Sequence, residues 1–386
     1  MAFSPDGKYL AVSRRYNRFS ENIYLVNISN RSTTQLTFGE EDIVGLSWHP
    51  DGREIVYATV RAGNRHGFIL NIKKKTTQEL HLTGFSYPSF AKKSKQLFYQ
   101  QRIENEDIAS LELNNTIASS PFPVIQSNFN HFSPDYDEKH DRFVYVSNES
   151  GFNELWSAKP DGSERKQLTQ LKQDIRFPKW SRDGRQIAFL SSLGESKGDS
   201  IYIYSSDSHK LALLNSPFFQ HNRPSWSWDG SKIISAIYSK EFTDLFSIEI
   251  SNGNTKRLTF DGGRYGIMTS DKAMLYTKLK RGLWQKNIDT TQAPIEVVDG
   301  KDFTTRYAWT YNKNGVYFHK EFNDHDQIIF FDFNKQATVP LMRLPLHSFA
   351  SSNSLAFISS QNKLFYTRSS FPQTDIKMVA NSPLFE

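Results

Sequence analysis

A four-residue turn recurs along this chain at intervals of roughly 45 residues, and that recurrence limits the fold more than any other feature. It stands as Ser4-Pro5-Asp6-Gly7, His49-Pro50-Asp51-Gly52, Ser181-Arg182-Asp183-Gly184 and Ser227-Trp228-Asp229-Gly230. Weaker copies are read at Ser133-Pro134-Asp135, Ser270-Asp271-Lys272, Asn312-Lys313-Asn314-Gly315 and Ser360-Gln361-Asn362-Lys363. Proline presets φ, aspartate bonds back to the local backbone and glycine accepts positive φ, so the motif is a hairpin turn. Apolar strands flank it, as in Arg176-Phe177-Pro178-Lys179-Trp180 before and Gln186-Ile187-Ala188-Phe189-Leu190 after. A third strand follows, for example Ile201-Tyr202-Ile203-Tyr204, Glu154-Leu155-Trp156-Ser157, Asp244-Leu245-Phe246-Ser247 or Gln327-Ile328-Ile329-Phe330. A fourth ends in a Leu-Thr signature at Gln35-Leu36-Thr37, Gln167-Leu168-Thr169 and Arg257-Leu258-Thr259.

Four strands per repeat without a helical period predict an all-β chain, a β-propeller of four-stranded antiparallel blades. Complete sets begin near residues 1, 43, 86, 128, 174, 221, 264 and 306. A ninth, from about 346, shows only three strands, Ser354–Phe357, Lys363–Thr367 and Asp375–Val379, its outer strand expected upstream of Met1. The count favours one ring of about eight blades, with seven to nine open, or a ring plus blades of a neighbour. Residues 1–386 are read as a single propeller domain. Met1-Ala2-Phe3 runs straight into the first turn, which is read as an N-terminal truncation.

Composition narrows the function classes. Aromatics make up 14% and charged residues 23%, as expected of a packed β protein rather than a disordered one. A net charge of +6 over 386 residues lacks the concentrated basic stripe of a nucleic-acid binder. The absence of cysteine excludes disulfides, thiolate metal sites and cysteine nucleophiles. No apolar run reaches the roughly 20 residues of a membrane span, and the first 20 residues hold no signal-peptide core.

Catalytic machinery is not expected. A peptidase of the kind gated by a propeller needs a Gly-x-Ser-x-Gly elbow. Gly45-Leu46-Ser47-Trp48-His49 and Gly84-Phe85-Ser86-Tyr87-Pro88 lack the final glycine and fall on first strands of their sets. The ten histidines have no metalloprotease spacing, and no metal or cofactor is expected. Asp135-Tyr136-Asp137-Glu138 with Asp141 lacks EF-hand spacing and reads as a solvated turn. Lys73-Lys74-Lys75, and Lys92-Lys93 with Lys95, read as hairpin ends that deter edge pairing.

One recurring position is a candidate binding site. Aligned on the turn, Arg176, Arg264 and Arg306 share a register, and Arg223 lies one residue off it. This is the entry to the innermost strand, so the four guanidiniums are expected around one mouth of the channel, poised for a carboxylate or phosphate. The alternative is pairing of each arginine within its own blade, with Asp174 or Asp261 as examples.

Pro178-Lys179-Trp180-Ser181-Arg182-Asp183-Gly184 followed by Ile187-Ala188-Phe189 resembles the WD40-like PD40 repeat of TolB-type propellers. The C-terminal third is more particular: Gly262-Gly263-Arg264-Tyr265-Gly266, Met274-Leu275-Tyr276-Thr277, Gly282-Leu283-Trp284, Gly315-Val316-Tyr317-Phe318, Ile329-Phe330-Phe331-Asp332-Phe333 and Leu364-Phe365-Tyr366-Thr367-Arg368. It resembles the propeller that closes CadC-like membrane-anchored transcriptional regulators. That resemblance implies a non-enzymatic periplasmic sensor, belonging to an inner-membrane parent whose winged helix binds DNA; neither winged helix nor membrane helix is in this chain. The resemblance carries no catalytic residue; the partner expected at the channel mouth, from the arginines, is a protein or small anionic ligand. A stand-alone TolB-like periplasmic scaffold for envelope proteins, and an enzyme with its site in the channel, are the competing readings. A cytoplasmic location is expected only if the chain is complete as written.

Overall fold

The computed structural model describes all residues except 18–19, 39–41, 62–63, 83, 92–95, 104, 114–119, 192–198, 240, 351–353, 370–372 and 380–386. Among the described residues the regular structure is entirely β, in nine antiparallel sheets, eight of four strands and one of three. No helix among them is long and apolar enough to cross a membrane. The sheets fall into two compact units, one of Asn105–Leu193 with Asp199–Phe371, the other of Met1–Glu104 with Pro372–Glu386.

The larger unit holds six blades. Their innermost strands are His131–Asp137, Ile175–Trp180, His221–Trp226, Gly263–Met268, Trp309–Asn312 and Leu355–Ile358, here blades one to six. Each blade interface has its own apolar core, and there are six cores for six blades, so the ring is closed. Phe132 and Val144 of blade one meet Ile175 and Phe189 of blade two. Ala188 and Leu190 of blade two meet Trp226 and Ile233 of blade three, and Ile234 and Leu245 of blade three meet Met268 and Tyr276 of blade four. Tyr265 and Leu275 of blade four meet Trp309 and Val316 of blade five, and Tyr317 and Ile328 of blade five meet Leu355 and Tyr366 of blade six. Phe365 and Ile358 of blade six return to Phe143 and Tyr145 of blade one.

Closure is made by strands far apart in sequence. Blade six takes Leu355–Ile358 and Lys363–Ser369 from one end of the unit, and Glu106–Glu112 and Phe122–Ile125 from the other. Strand Lys363–Ser369 pairs antiparallel with Glu106–Glu112 along its whole length. The set read as beginning near residue 86 is therefore divided, its last two strands completing the blade that begins at Leu355. The reading of Asp375–Val379 as that blade's third strand is corrected too: Gln373–Val379 pairs with Leu97–Ile103 in the smaller unit. A two-strand pattern carries no label for its sheet, and the partners lie more than 250 residues apart.

Among the described residues the smaller unit has three sheets joined by two shared cores. Ala11 and Ile23 of the first sheet pack on Trp48 and Tyr57 of the second, and Val56 and Ala58 of the second pack on Phe85 and Leu97 of the third.

Two local devices repeat. In the turn, Ser181 Oγ donates to Asp183 Oδ1 at 2.6 Å and accepts the Gln186 amide at 2.9 Å, and Gly184 has φ of 68°. Ser4 with Asp6 and Ser227 with Asp229 do the same at 2.7 Å. The Leu-Thr signature is a clip. Thr259 Oγ1 accepts the Leu245 amide at 2.9 Å and donates to the buried Asp244 carboxylate at 2.9 Å. Thr169 treats Leu155 and Glu154 likewise, at 2.9 and 2.5 Å. The outer strand is thereby tied to a carboxylate at the start of the third strand, which satisfies groups that burial would otherwise leave costly.

Candidate functional site

Three of the six innermost strands, those of blades one to three, share a kink. Ser133, Phe177 and Arg223 each precede a proline and each have positive φ, at 55°, 52° and 43°. Every one of these strands shifts register against its neighbour at that point. Non-glycine residues held there store backbone strain of about 1 kcal/mol or more each, which the packed ring must offset. Ser133-Pro134-Asp135, read from sequence as a decayed turn, is thus an inner-strand kink inside His131–Asp137. The surface turn of that blade falls on Glu138–Asp141 instead.

Beyond the kink, on the side carrying the Ser-x-Asp-Gly turns, the channel widens into a cavity of about 1050 Å³. Asp135, Lys179, Ser225, Tyr265, Tyr311 and Phe357 contribute to its wall, one from each blade. Lys179 Nζ lies 2.6 Å from Asp135 Oδ1, and the Trp180 amide donates to Asp135 Oδ2 at 2.8 Å. Burial opposes the Lys179 charge, but the Asp135 carboxylate and a hydrogen bond with Tyr265 more than offset it and hold the ammonium above its ordinary pKa. Ser225 Oγ donates to Gly266 O at 2.5 Å, and Tyr311 OH to Met268 O at 3.0 Å. At the rim the Arg182 guanidinium lies 3.5 Å from the centre of the Trp228 ring. The wall thus carries paired charges, aromatic faces and hydrogen-bonding groups whose orientations are already fixed by partners within the ring.

The predicted arginines lie toward the other end of the inner strands, and the structure brings some of them together. Arg223 is 6% exposed, and its guanidinium rests 3.9 Å from the Phe177 ring centre and 4.2 Å from that of Tyr307. Tyr307, before blade five, reaches blade three: its hydroxyl is 3.1 Å from Tyr238 OH and 3.3 Å from Asn222 Nδ2. Arg264 lies 5.0 Å from the Tyr238 ring centre and hydrogen-bonds its hydroxyl. Burial would push the Tyr238 phenol up, but Tyr307, Arg264 and Asn222 hydrogen bonds and the Arg264 charge outweigh it and hold it below its usual pKa. Arg223 and Arg264 therefore belong to one network. Arg176 is held apart from it, between Asp199 at 3.0 Å and Asp174 at 3.3 Å. Arg306 is exposed, and what it supplies inward is its carbonyl, which accepts Thr277 Oγ1 at 2.7 Å. Asp261, expected beside Arg264, is instead 2.6 Å from Lys278 Nζ.

The acidic stretch is corrected as well. Asp137 is 4% exposed and meets His140 Nδ1 at 2.5 Å, and Asp135 is occupied by Lys179, so neither is part of a solvated turn. Among the described residues no group of three histidines or carboxylates could hold a metal ion. Ser47 and Ser86 lie on first strands of their sheets. Lys73 to Lys75 form an exposed hairpin end, while Lys92, Lys93 and Lys95 lie outside the described residues.

The Lys179–Asp135 pair was missed by the turn-based alignment. Aligned on the proline of the kink, Asp135, Lys179 and Ser225 occupy one position in successive blades, so opposite charges there were a readable sign of contact.

Residues 116–347 match the family model described as PD40, TolB beta propeller domain. Over 91 residues the chain is 35% identical to the Tol-Pal system protein TolB of Francisella tularensis subsp. mediasiatica, a stretch covering 24% of this chain and 20% of that protein. The match thus spans about a fifth of the curated relative. TolB from Acinetobacter baumannii superposes with a TM-score of 0.51 at 14% identity, over 75% of this chain and 79% of that one. An oligogalacturonate lyase in complex with manganese overlaps at a TM-score of 0.34 and 14% identity, over 74% and 87% of the two chains.

Proposed function

This chain belongs to the TolB β-propeller family, and from that premise we propose that it is a non-enzymatic protein-interaction propeller whose recognition surface is the channel of its six-bladed ring. The supporting observation is the cavity of about 1050 Å³ to which every blade of the ring contributes. A partner segment entering it meets groups whose orientations are already fixed by Lys179–Asp135 and Tyr311–Met268, so little ordering cost falls on the protein side. The arginine end supplies a second contact, for a carboxylate or phosphate, through Arg264 and Arg306 with Arg176 and Arg223 behind them.

The finer reading is that the chain serves as the periplasmic sensory part of a membrane-anchored transcriptional regulator. Its support is the C-terminal pattern from Gly262 to Arg368. The second reading, a TolB-like periplasmic scaffold acting by itself, is favoured by the TolB match. The reading frame upstream of Met1 separates them: a winged helix and a membrane helix in frame decide for the regulator, and their absence for the scaffold.

Recognition through the channel is tested in cells with a photo-crosslinking amino acid at Tyr311, on the cavity wall, or at Leu213, on an outer strand of blade two. A protein captured reproducibly from Tyr311 and not from Leu213 supports the reading. Equal capture from both sites, or none from Tyr311, removes it.

A further inference from the structure

Among the described residues every sheet has four strands except the one built on Phe85–Phe90, which has three. Its outermost strand, Gln373–Val379, is paired along its length with Leu97–Ile103 on one side. Among the described residues no strand pairs with its other side. Ile376 is 81% exposed and Met378 50%. An open row of backbone donors and acceptors beside exposed apolar side chains is a template for a further strand.

The sequence of the strand indicates which one. Asp375 and Lys377 project from the same side, with Nζ 3.5 Å from Oδ2. In an antiparallel pairing centred on Ile376, Asp375 of one copy stands directly opposite Lys377 of a second copy. Symmetry repeats the pair, Ile376 faces Ile376, and Thr374 faces Met378. Directly opposed residues share a face, so both charge pairs form at cross-strand distance. A lone lysine on an edge deters self-pairing because a second lysine would meet it. Here the two-fold axis brings an acid to that place.

We propose that the chain forms a two-fold dimer through antiparallel pairing of Gln373–Val379, each copy filling the fourth-strand position of the other's three-stranded sheet.

The test is sedimentation of the full chain across the micromolar range, for wild type, Asp375→Lys, Lys377→Asp and the double reversal. Wild type is expected to dimerise. Each single reversal replaces two attractive pairs with two like-charge pairs and should raise the dimer dissociation constant about tenfold or more. The double reversal restores both pairs with roles exchanged and should recover wild-type association. Both side chains are solvent-exposed, and unchanged thermal melts of the variants will show that folding is unaffected. A wild type that stays monomeric, a dimer indifferent to the single reversals, or single losses without recovery in the double variant would each overturn the proposal.

Discussion

Lys179 Nζ stands 2.6 Å from Asp135 Oδ1 across the boundary between blades one and two, and both side chains are largely buried, at 18% and 14% exposed. The same carboxylate accepts the Trp180 amide, so it binds the neighbouring blade twice. Removing one partner leaves the other charge desolvated and uncompensated, whereas replacing both with apolar groups does not. Asp135→Asn should therefore destabilise the ring by about 2–4 kcal/mol. The double variant Asp135→Leu/Lys179→Met should recover part of that loss. Urea denaturation of wild type, Asp135→Leu, Lys179→Met and their double variant measures the coupling, and strict additivity of the single losses would show that the pair does not act as one unit.

The Leu-Thr clip makes a second, independent prediction. Thr259 Oγ1 bridges the Leu245 amide and the Asp244 carboxylate in a site from which water is excluded. Thr259→Val keeps the shape but leaves a buried donor and a buried carboxylate each one bond short, a loss of about 2 kcal/mol. Thr259→Ser keeps the hydroxyl and should stay within about 1 kcal/mol of wild type. Equal destabilisation by both would place the role of Thr259 in its methyl group.

What could be read in advance follows the range of the interaction that carries it. Ser181-Arg182-Asp183-Gly184 was legible because its hydrogen bonds close within five residues and its glycine answers to a local φ. Gln167-Leu168-Thr169 was legible as a marker, although its purpose, holding Glu154, needed the third strand to be in place. Blade six was not legible, since Lys363–Ser369 and Glu106–Glu112 are joined by backbone pairing that no side-chain pattern announces. The arginines share a register but not an environment. Arg176 found two carboxylates, Arg223 two aromatic rings, and Arg306 the surface.

Burial of two histidines predicts a fold sensitive to acid. His131 and His221 begin the inner strands of blades one and three, and burial depresses both to a pKa of about 4, with the Arg165 charge adding to the effect at His131. In the unfolded chain each titrates near 6.5. Below that value the unfolded state binds protons that the native state refuses. Stability is therefore complete above about pH 6.5 and falls as pH drops toward 4, by about 1.4 kcal/mol per pH unit for each histidine. The urea midpoint should be lower at about pH 5 than at about pH 7.5, and substituting either histidine by Gln should flatten the difference. A midpoint that does not move over that interval would rule out neutral burial of both.

Arg223 and Arg306 were placed in one class by sequence, yet their settings predict opposite consequences of truncation. Arg223 is buried against Phe177 and Tyr307, so Arg223→Ala removes apolar stem, ring contact and charge from a packed site and should cost about 2–3 kcal/mol. Arg306 is exposed, and Arg306→Ala should stay within about 0.5 kcal/mol of wild type. This contrast makes Arg306, alone and joined with Arg264, the probe of anion recognition at the channel mouth; because Arg264 also holds Tyr238, the readout is the anion-induced shift within each protein rather than its starting stability. A bound anion raises the melting temperature in proportion to how selectively it favours the native state. Inorganic phosphate should stabilise wild type at constant ionic strength and have a smaller effect on Arg264→Ala/Arg306→Ala. Equal shifts in the two proteins would assign the effect to general salt and leave these arginines without a ligand.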